Sequence, residues 1–210
     1  MIHGVDVSYA QPIAGLDYPQ LVKAGVQFAW CKCTDAHDDG TFFTDDSHDT
    51  HSICFRAAGA VTGSYCFGHT SWDPLRTADY FTQHAFFDQL RPVIDMETLR
   101  DKHIPGNAGP WALAWLQRIE QNTRTKPIVY SSTSYLATMV QQAPGLYGYD
   151  VWAAAYRVPP SPDHPPKLPG SYLQQRLVAY QWTGSGRLPG CSVAIDRDVL
   201  VGPDLSALLV

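Results

Sequence analysis

Two acids two positions apart, Asp95 and Glu97 in the run Pro92-Val93-Ile94-Asp95-Met96-Glu97, are the residues best spaced to do chemistry. As a β-strand the run alternates, with Val93, Asp95 and Glu97 on one face and Ile94 and Met96 on the other. Same-face neighbours on a strand lie about 6.5–7 Å apart, from the rise per residue. At that range burial and mutual repulsion raise the pKa of one carboxyl. A protonated acid beside an ionised carboxylate is the equipment for cleaving a glycosidic bond. A pair of solvated acids at a strand end is the plain alternative, and the flanking Val93, Ile94 and Met96 argue instead for a buried strand.

Other acids sit in similar settings. Asp6 lies in Gly4-Val5-Asp6-Val7-Ser8, and Asp196 and Asp198 share a face of Ala194-Ile195-Asp196-Arg197-Asp198. An N-capping or loop-anchoring role suits Asp6 as well, and a salt bridge to Arg187 or Arg197 would explain one of the last two. Tyr65, Tyr130, Trp152, Tyr156 and Trp182 fall in or at the end of candidate strands. Aromatic faces stack on the apolar faces of sugar rings while acids and amides bond the hydroxyls. At least two of these rings are expected to serve the core alone.

The elements that would hold these groups can be read from apolar runs and breakers. Strands are expected over 4–8, 28–33, 61–67, 92–97, 127–131, 151–156, 177–182 and 193–199. Five helices separate the first six: 17–24, 45–58, one opening at Asp73-Pro74, one carrying Trp111, Trp115, Leu116 and Ile119 at helical spacing, and 134–142. The next connection, 158–170, holds six prolines and cannot be a helix. The one after it, 183–192, is rich in Gly and equally unhelical. Alternating strands and helices imply parallel strands, and eight of them imply closure. The fold class expected is therefore α/β: an irregular TIM-like barrel, (β/α)5(β)3, of parallel strands with a helix-poor last quarter, formed by residues 1–210 as one domain. Active sites of such barrels lie at the C-terminal ends of the strands. That places Asp6 and Ser8, Asp95 and Glu97, and Asp196 and Asp198 at one mouth.

Composition narrows the classes. Charged residues are 17%, against roughly 25% for an average soluble domain, so compositional disorder is excluded. Fifteen Lys and Arg against 20 Asp and Glu give a net charge of −5, with no basic run to follow a nucleic acid. No apolar stretch is long enough to insert in a membrane, and Met1-Ile2-His3-Gly4 does not open a secretory signal. Five cysteines without regular spacing suggest free thiols and synthesis in a reducing compartment. His48 and His51, near Asp45, Asp46 and Asp49, resemble metal-ligand material but sit at a helix start, where acids are favoured anyway. Cys31 and Cys33 lack a second pair to complete a zinc set. Gly184, Gly186 and Gly190 miss the dinucleotide spacing, and neither a nucleophile elbow nor a phosphate loop is present. Neither a metal nor a cofactor is expected.

Taken in order along the chain, these motifs resemble those of the glycoside hydrolase family 25 muramidases, lysozymes that cut bacterial peptidoglycan. The likeness rests on Gly4-Val5-Asp6-Val7-Ser8 with Gln11, Asp95-Met96-Glu97, Ile128-Val129-Tyr130-Ser131, Val151-Trp152-Ala153-Ala154-Ala155-Tyr156, Gln181-Trp182 and Ile195-Asp196-Arg197-Asp198. It implies Glu97 as general acid and Asp95 as its partner, with Asp6 and Asp196 as the remaining carboxylates. Tyr65, Tyr130, Trp152, Tyr156, Gln181 and Asp198 would bind the sugar. Lys32-Cys33-Thr34-Asp35 departs from the Glu-Gly ending expected there, Cys66-Phe67-Gly68-His69 from the usual aromatic and histidine order, and Asp198 stands where Asn is common. The carboxylate separation falls in the range for inverting enzymes. Two acids on one strand also suit a retaining route in which the substrate's acetamido group attacks, and that route is preferred.

The activity so implied is hydrolysis of the β-1,4 bond between N-acetylmuramic acid and N-acetylglucosamine. Bacterial peptidoglycan would be the partner of a monomer that binds no nucleic acid. A phage endolysin held in the host cytoplasm until release fits the free thiols, and a secreted enzyme relieved of its signal fits nearly as well. A wall-binding module without chemistry and a related glycosidase such as a chitinase are the alternatives.

Overall fold

The structure is a computed structural model that describes residues 1–98 and 104–210. Local signals in the chain set its helices. Asp17 accepts the N–H of Gln20 at 3.0 Å and starts α1 (Tyr18–Lys23). α2 (His48–Ala58) ends at Gly59, whose φ of 103° is the left-handed value glycine tolerates. Asp73 caps α3 (Pro74–His84) by accepting from Leu75 and Arg76, with Pro74 in the first turn. α4 (Ala108–Thr123) buries Trp111, Trp115, Leu116 and Ile119 on one face. Ser132 caps α5 (Thr133–Gln142) through the N–H of Tyr135. After the proline-rich connection there is one short turn, α6 (Ser171–Gln174).

The strands are β1 (His3–Val7), β2 (Val26–Ala36), β3 (Phe42–Thr44), β4 (Val61–Phe67), β5 (Val93–Asp95), β6 (Ile128–Ser132), β7 (Asp150–Ala154), β8 (Leu177–Gly186) and β9 (Ile195–Leu200). Eight of them run in the order β1-β9-β8-β7-β6-β5-β4-β2, and pairing of β1 with β2 closes the barrel. Five helix crossovers and a helix-poor last quarter are as expected, with two corrections. First, the barrel is not wholly parallel. β9 runs antiparallel to both β8 and β1, because eight residues between β8 and β9 suffice for a hairpin but not for a crossover. Second, β2 continues past the expected end at Cys33 and folds back as an antiparallel hairpin with β3. Asp39-Gly40 at its tip, with φ of 86° at Gly40, is the turn chemistry such a hairpin demands.

Strand alternation sorts the apolar side chains into layers. Phe28, Trp30, Tyr65, Val93, Ile128, Tyr130 and Trp152 fill the barrel interior. Ile94, Met96, Val129 and Val151 point outward and pack on Phe81, Trp115, Leu116 and Met139 of α3, α4 and α5. Val5, Val7, Ala29 and Cys31 do the same against Leu21 of α1 and Phe55 of α2. Where the helices stop, Tyr180, Trp182 and Val199 form the outer wall. The Tyr180 hydroxyl donates to the Pro162 carbonyl, which ties the proline segment over that wall. All five cysteines are free, and burial pushes the Cys31 and Cys66 thiols up to about 12.

Gly4 shows how tight the interior is. A Cβ there would lie 2.2 Å from the Phe28 ring, itself fully buried. Gly4→Ala is expected to cost about 1–3 kcal/mol by overpacking, seen as a lowered Tm. An unchanged Tm would mean that Phe28 can turn aside.

Candidate active site

The C-terminal ends of the parallel strands gather a polar cavity of about 230 Å³. Asp6 of β1, Asp95 of β5, Glu97 just beyond it and Asp196 of β9 all line it, with Tyr65, Tyr130, Trp152, Tyr156 and Gln181. Because β9 is antiparallel, its first residues lie at the mouth and later ones deeper. Asp196 therefore reaches the cavity, whereas Asp198 is fully buried and does not line it. Asp198 was expected to touch the sugar on the assumption that this strand, too, ends at the mouth. Its indole-bonded carboxylate sits instead beneath the floor.

Alternation on β5 places Val93 in the barrel interior and Ile94 and Met96 outside, so Asp95 faces the cavity floor. Its backbone is pinned: Gly68 donates to the Asp95 carbonyl at 2.9 Å, and Met96 to that of Tyr130 at 2.9 Å. The Ser131 hydroxyl donates to the Met96 carbonyl. Asp95 is buried and its Oδ1 accepts no hydrogen bond. Burial first, then the charge of Glu97, pushes its carboxyl well above the usual range, with Lys32 pulling the other way. Glu97 stands at the exposed lip, its carboxyl raised by desolvation against the opposing pull of Lys32. Asp196 is pushed up to about 6 by desolvation and then by Glu97.

A hydrogen-bonded chain runs across the floor. Gln181 Nε2 donates to Asp6 Oδ2 at 2.6 Å, and Gln181 Oε1 accepts from the hydroxyls of Tyr130, at 2.9 Å, and Tyr156. Trp152 Nε1 donates to Asp198 Oδ1 at 2.9 Å, while the Trp152 ring stacks on Trp30 with centroids 4.4 Å apart. Tyr65, Tyr130 and Trp152 are thus nearly closed into the floor, and Tyr156 is 59% exposed. Trp182 lies on the outer wall under the Arg197 guanidinium, 4.5 Å away, so it belongs to neither group. Arg197 for the same reason pairs with neither acid beside it.

A second, larger hollow of about 730 Å³ adjoins the first and shares Tyr9, Lys32, Phe67 and Glu97 with it. Lys32 bonds Asp35, His69 Nε2 meets Asp35 Oδ1 at 2.8 Å, and the Lys32 ammonium sits 4.8 Å from the Phe67 ring centre. Lys32 was missed as a cavity residue, although alternation with Phe28 and Trp30 on β2 pointed to it. Tyr9 carried no local signal; its N–H is held by Asp45 Oδ2, at 3.0 Å, from a distant loop. His48 and His51 are buried rather than exposed. His48 Nε2 contacts the Ser64 hydroxyl and His51 Nδ1 that of Tyr18, both at 2.9 Å, which makes them supports for the loops around β1 and β4.

Comparison with known proteins agrees with this fold. An uncharacterized protein, YegX, of Escherichia coli K12 is 26% identical over 208 residues, covering 96% of this chain and 70% of that protein. Among solved structures, the bacterial lysozyme of Streptomyces coelicolor superposes with a TM-score of 0.79 at 21% identity, covering 96% of this chain and 92% of its own. A family 25 glycosyl hydrolase of Bacillus anthracis gives 0.78 at 23% identity, covering 97% and 90%. These likenesses are of fold. The description "Glycosyl hydrolases family 25" matches residues 5–191, nearly the whole barrel, and the chain belongs to that family.

Proposed function

We propose that this family 25 hydrolase is an N-acetylmuramidase, cutting the β-1,4 bond between N-acetylmuramic acid and N-acetylglucosamine in peptidoglycan. The observation that carries the reading is the convergence of Asp6, Asp95, Glu97 and Asp196 on one cavity at the barrel mouth. The charge of Glu97 disfavours that of Asp95, and burial raises both carboxyls, so the pair holds a proton more firmly than a lone exposed carboxylate does. Glu97, at the lip, is the member able to reach a bridging oxygen. Asp95 Oδ1 lacks a donor, and an acetamido N–H would supply one. Substrate then favours the charge on Asp95 and the proton on Glu97.

From that state the C1–O bond breaks as Glu97 protonates the leaving oxygen and the acetamido oxygen bonds to C1. Ionised Asp95 balances the positive charge that develops on the acetamido nitrogen. Water then attacks C1, the acetamido oxygen leaves, and the water's proton returns to Glu97. The anomeric configuration is retained. Tyr156 and Tyr9, the exposed rings, offer apolar faces to sugars on either side.

In this reading residues 1–210 form one catalytic domain, which acts as a monomer. Its free thiols suit synthesis in a reducing cytosol, as for an endolysin awaiting release. With a charge of −5 against an anionic wall, affinity comes from the groove. The test is mass spectrometry of borohydride-reduced products from purified peptidoglycan. Reduced muramic acid at the new ends is expected. Reduced glucosamine ends would move the cut to the other glycosidic bond, and no new ends on several wall types would favour a binding module.

A further inference from the structure

Lys32 is the one lysine or arginine lining either hollow among the described residues, and Glu97 lines both with it. An ammonium free to approach Glu97 would favour its ionised form and strip the proton that a general acid must hold. The Lys32 ammonium pairs instead with Asp35. Two rings flank it, with centres 4.8 Å away at Phe67 and 5.7 Å away at Tyr9. Phe67 is the ladder partner of Asp95, so the charge is parked beside the acid pair.

The meeting of Asp35 with Lys32 needs an irregular strand. Three residues apart on a regular strand, the two side chains would point to opposite faces. On β2, however, Lys32 pairs with Tyr65 and Thr34 with Cys66, so two steps on β2 match one on β4. A bulge of this kind re-aims the side chains beyond it, and Asp35 joins Lys32 in the wall of the larger hollow. There Lys32 donates to Asp35 Oδ2, while Oδ1 accepts from the Ala36 N–H at 2.7 Å and from His69 Nε2 at 2.8 Å. The pairing of Asp35 with Phe43 of β3 secures its backbone. Burial opposes the charge on Asp35, but the bonds from His69 and Lys32 outweigh it and hold the carboxyl below its usual range.

We infer that Asp35 is a positioning residue: it clamps the Lys32 ammonium away from Glu97 and so leaves Glu97 its proton. The clamp matters to the reaction through the reading of Glu97 as general acid, on which it rests. In the smaller cavity the titratable groups around Lys32 and Glu97 are Asp6, Asp95, Asp196 and the hydroxyls of Tyr65, Tyr130 and Tyr156. In the larger hollow they are Asp35, His37, Asp38, His69 and Tyr135, with Tyr9 shared. Desolvation raises the Glu97 carboxyl against the pull of Lys32, which agrees with an ammonium that is near but not paired.

The chain has two glutamates, Glu97 and Glu120, so carbon-13 NMR of the glutamate carboxyls is the test, with the Glu97 signal identified by its loss in Glu97→Gln. In Asp35→Asn the released ammonium should turn to Glu97 and lower its titration midpoint by about one pH unit. In Lys32→Met, which keeps an apolar stem and drops the charge, the midpoint should rise. Adding Asp35→Asn to Lys32→Met should leave it where Lys32→Met put it, because the clamp then has nothing to hold. The alkaline limb of kcat should move with the midpoint in each variant.

A midpoint that stays or rises in Asp35→Asn overturns the proposal, as does one that fails to rise in Lys32→Met. So does a fall on adding Asp35→Asn to Lys32→Met as large as the one seen with Lys32 present, since Asp35 would then act on Glu97 directly. Should Asp35→Asn not fold, Asp35→Ser is read in its place against the same outcomes. The titrations need no turnover. Near-parent activity in Glu97→Gln would therefore sink the acid assignment, while the clamp stands or falls on the midpoints.

Discussion

Glu97→Gln should melt within about 2 °C of the parent, as for other substitutions at exposed positions, while peptidoglycan turnover falls by about 10³-fold. The side chain stands at the lip of the cavity and no hydrogen bond fastens it to the fold among the described residues, so an isosteric amide disturbs little there. What it removes is the proton. Glutamine cannot protonate the leaving oxygen, and a β-1,4 glycoside has no easy departure without that transfer. The raised carboxyl of Glu97 also sets the sign of the pH dependence. As pH climbs through its folded pKa the donor form is lost and the rate declines, whereas an unshifted glutamate would have lost it earlier. Turbidity clearing and reducing-end release read the rate, and near-parent turnover in Glu97→Gln would sink the assignment.

Asp95→Asn is expected to move activity and stability in opposite directions. Turnover should drop by about 10²–10³-fold, because an amide cannot offset the charge on the acetamido nitrogen. Stability at neutral pH should rise by about 1–3 kcal/mol, the usual penalty of an unsatisfied buried polar group. Asp95 has a folded pKa above its unfolded value of 3.8. The folded state therefore binds more protons than the unfolded one, and stability falls as pH rises from that value toward the folded pKa. The variant escapes this fall, so its Tm advantage should grow from about pH 4 to about pH 7. A lowered Tm at neutral pH would overturn the reading of Asp95 as an unsatisfied carboxyl. Strain of this kind is common where a site must be ready for a ligand.

The parts of this molecule legible in its sequence are those governed by local rules. Asp73-Pro74 and Gly59 mark helix ends because capping depends on neighbours a few residues away. Asp95 and Glu97 could be placed on one face because alternation needs nothing beyond the strand itself. What could not be read depended on distant partners. Asp198 has the same local pattern as Asp6, yet the reversed direction of β9 moves it from the mouth to the floor. Tyr9 enters the groove because Asp45, far along the chain, holds its amide. His48 and His51 look like exposed metal ligands by composition and are buried supports in the fold, since Ser64 and Tyr18 come from other elements. The hairpin of β2 and β3 went unread, although Asp39-Gly40 is the turn chemistry such a hairpin uses.

The antiparallel β9 also dictates when the molecule can become complete. β1 leaves the ribosome first and finds β2 soon after, since only α1 separates them. Its other edge pairs with β9 alone, and β9 is the last strand to be made. During synthesis the barrel is an open, curved sheet whose first edge stays unpaired until the final hairpin emerges. Such a long-range seam slows folding and leaves that edge exposed to other chains while it waits. Asp6 and Asp196, drawn from the two sides of the seam, share a cavity only once it is sealed, so the full set of carboxylates is assembled by the last folding event.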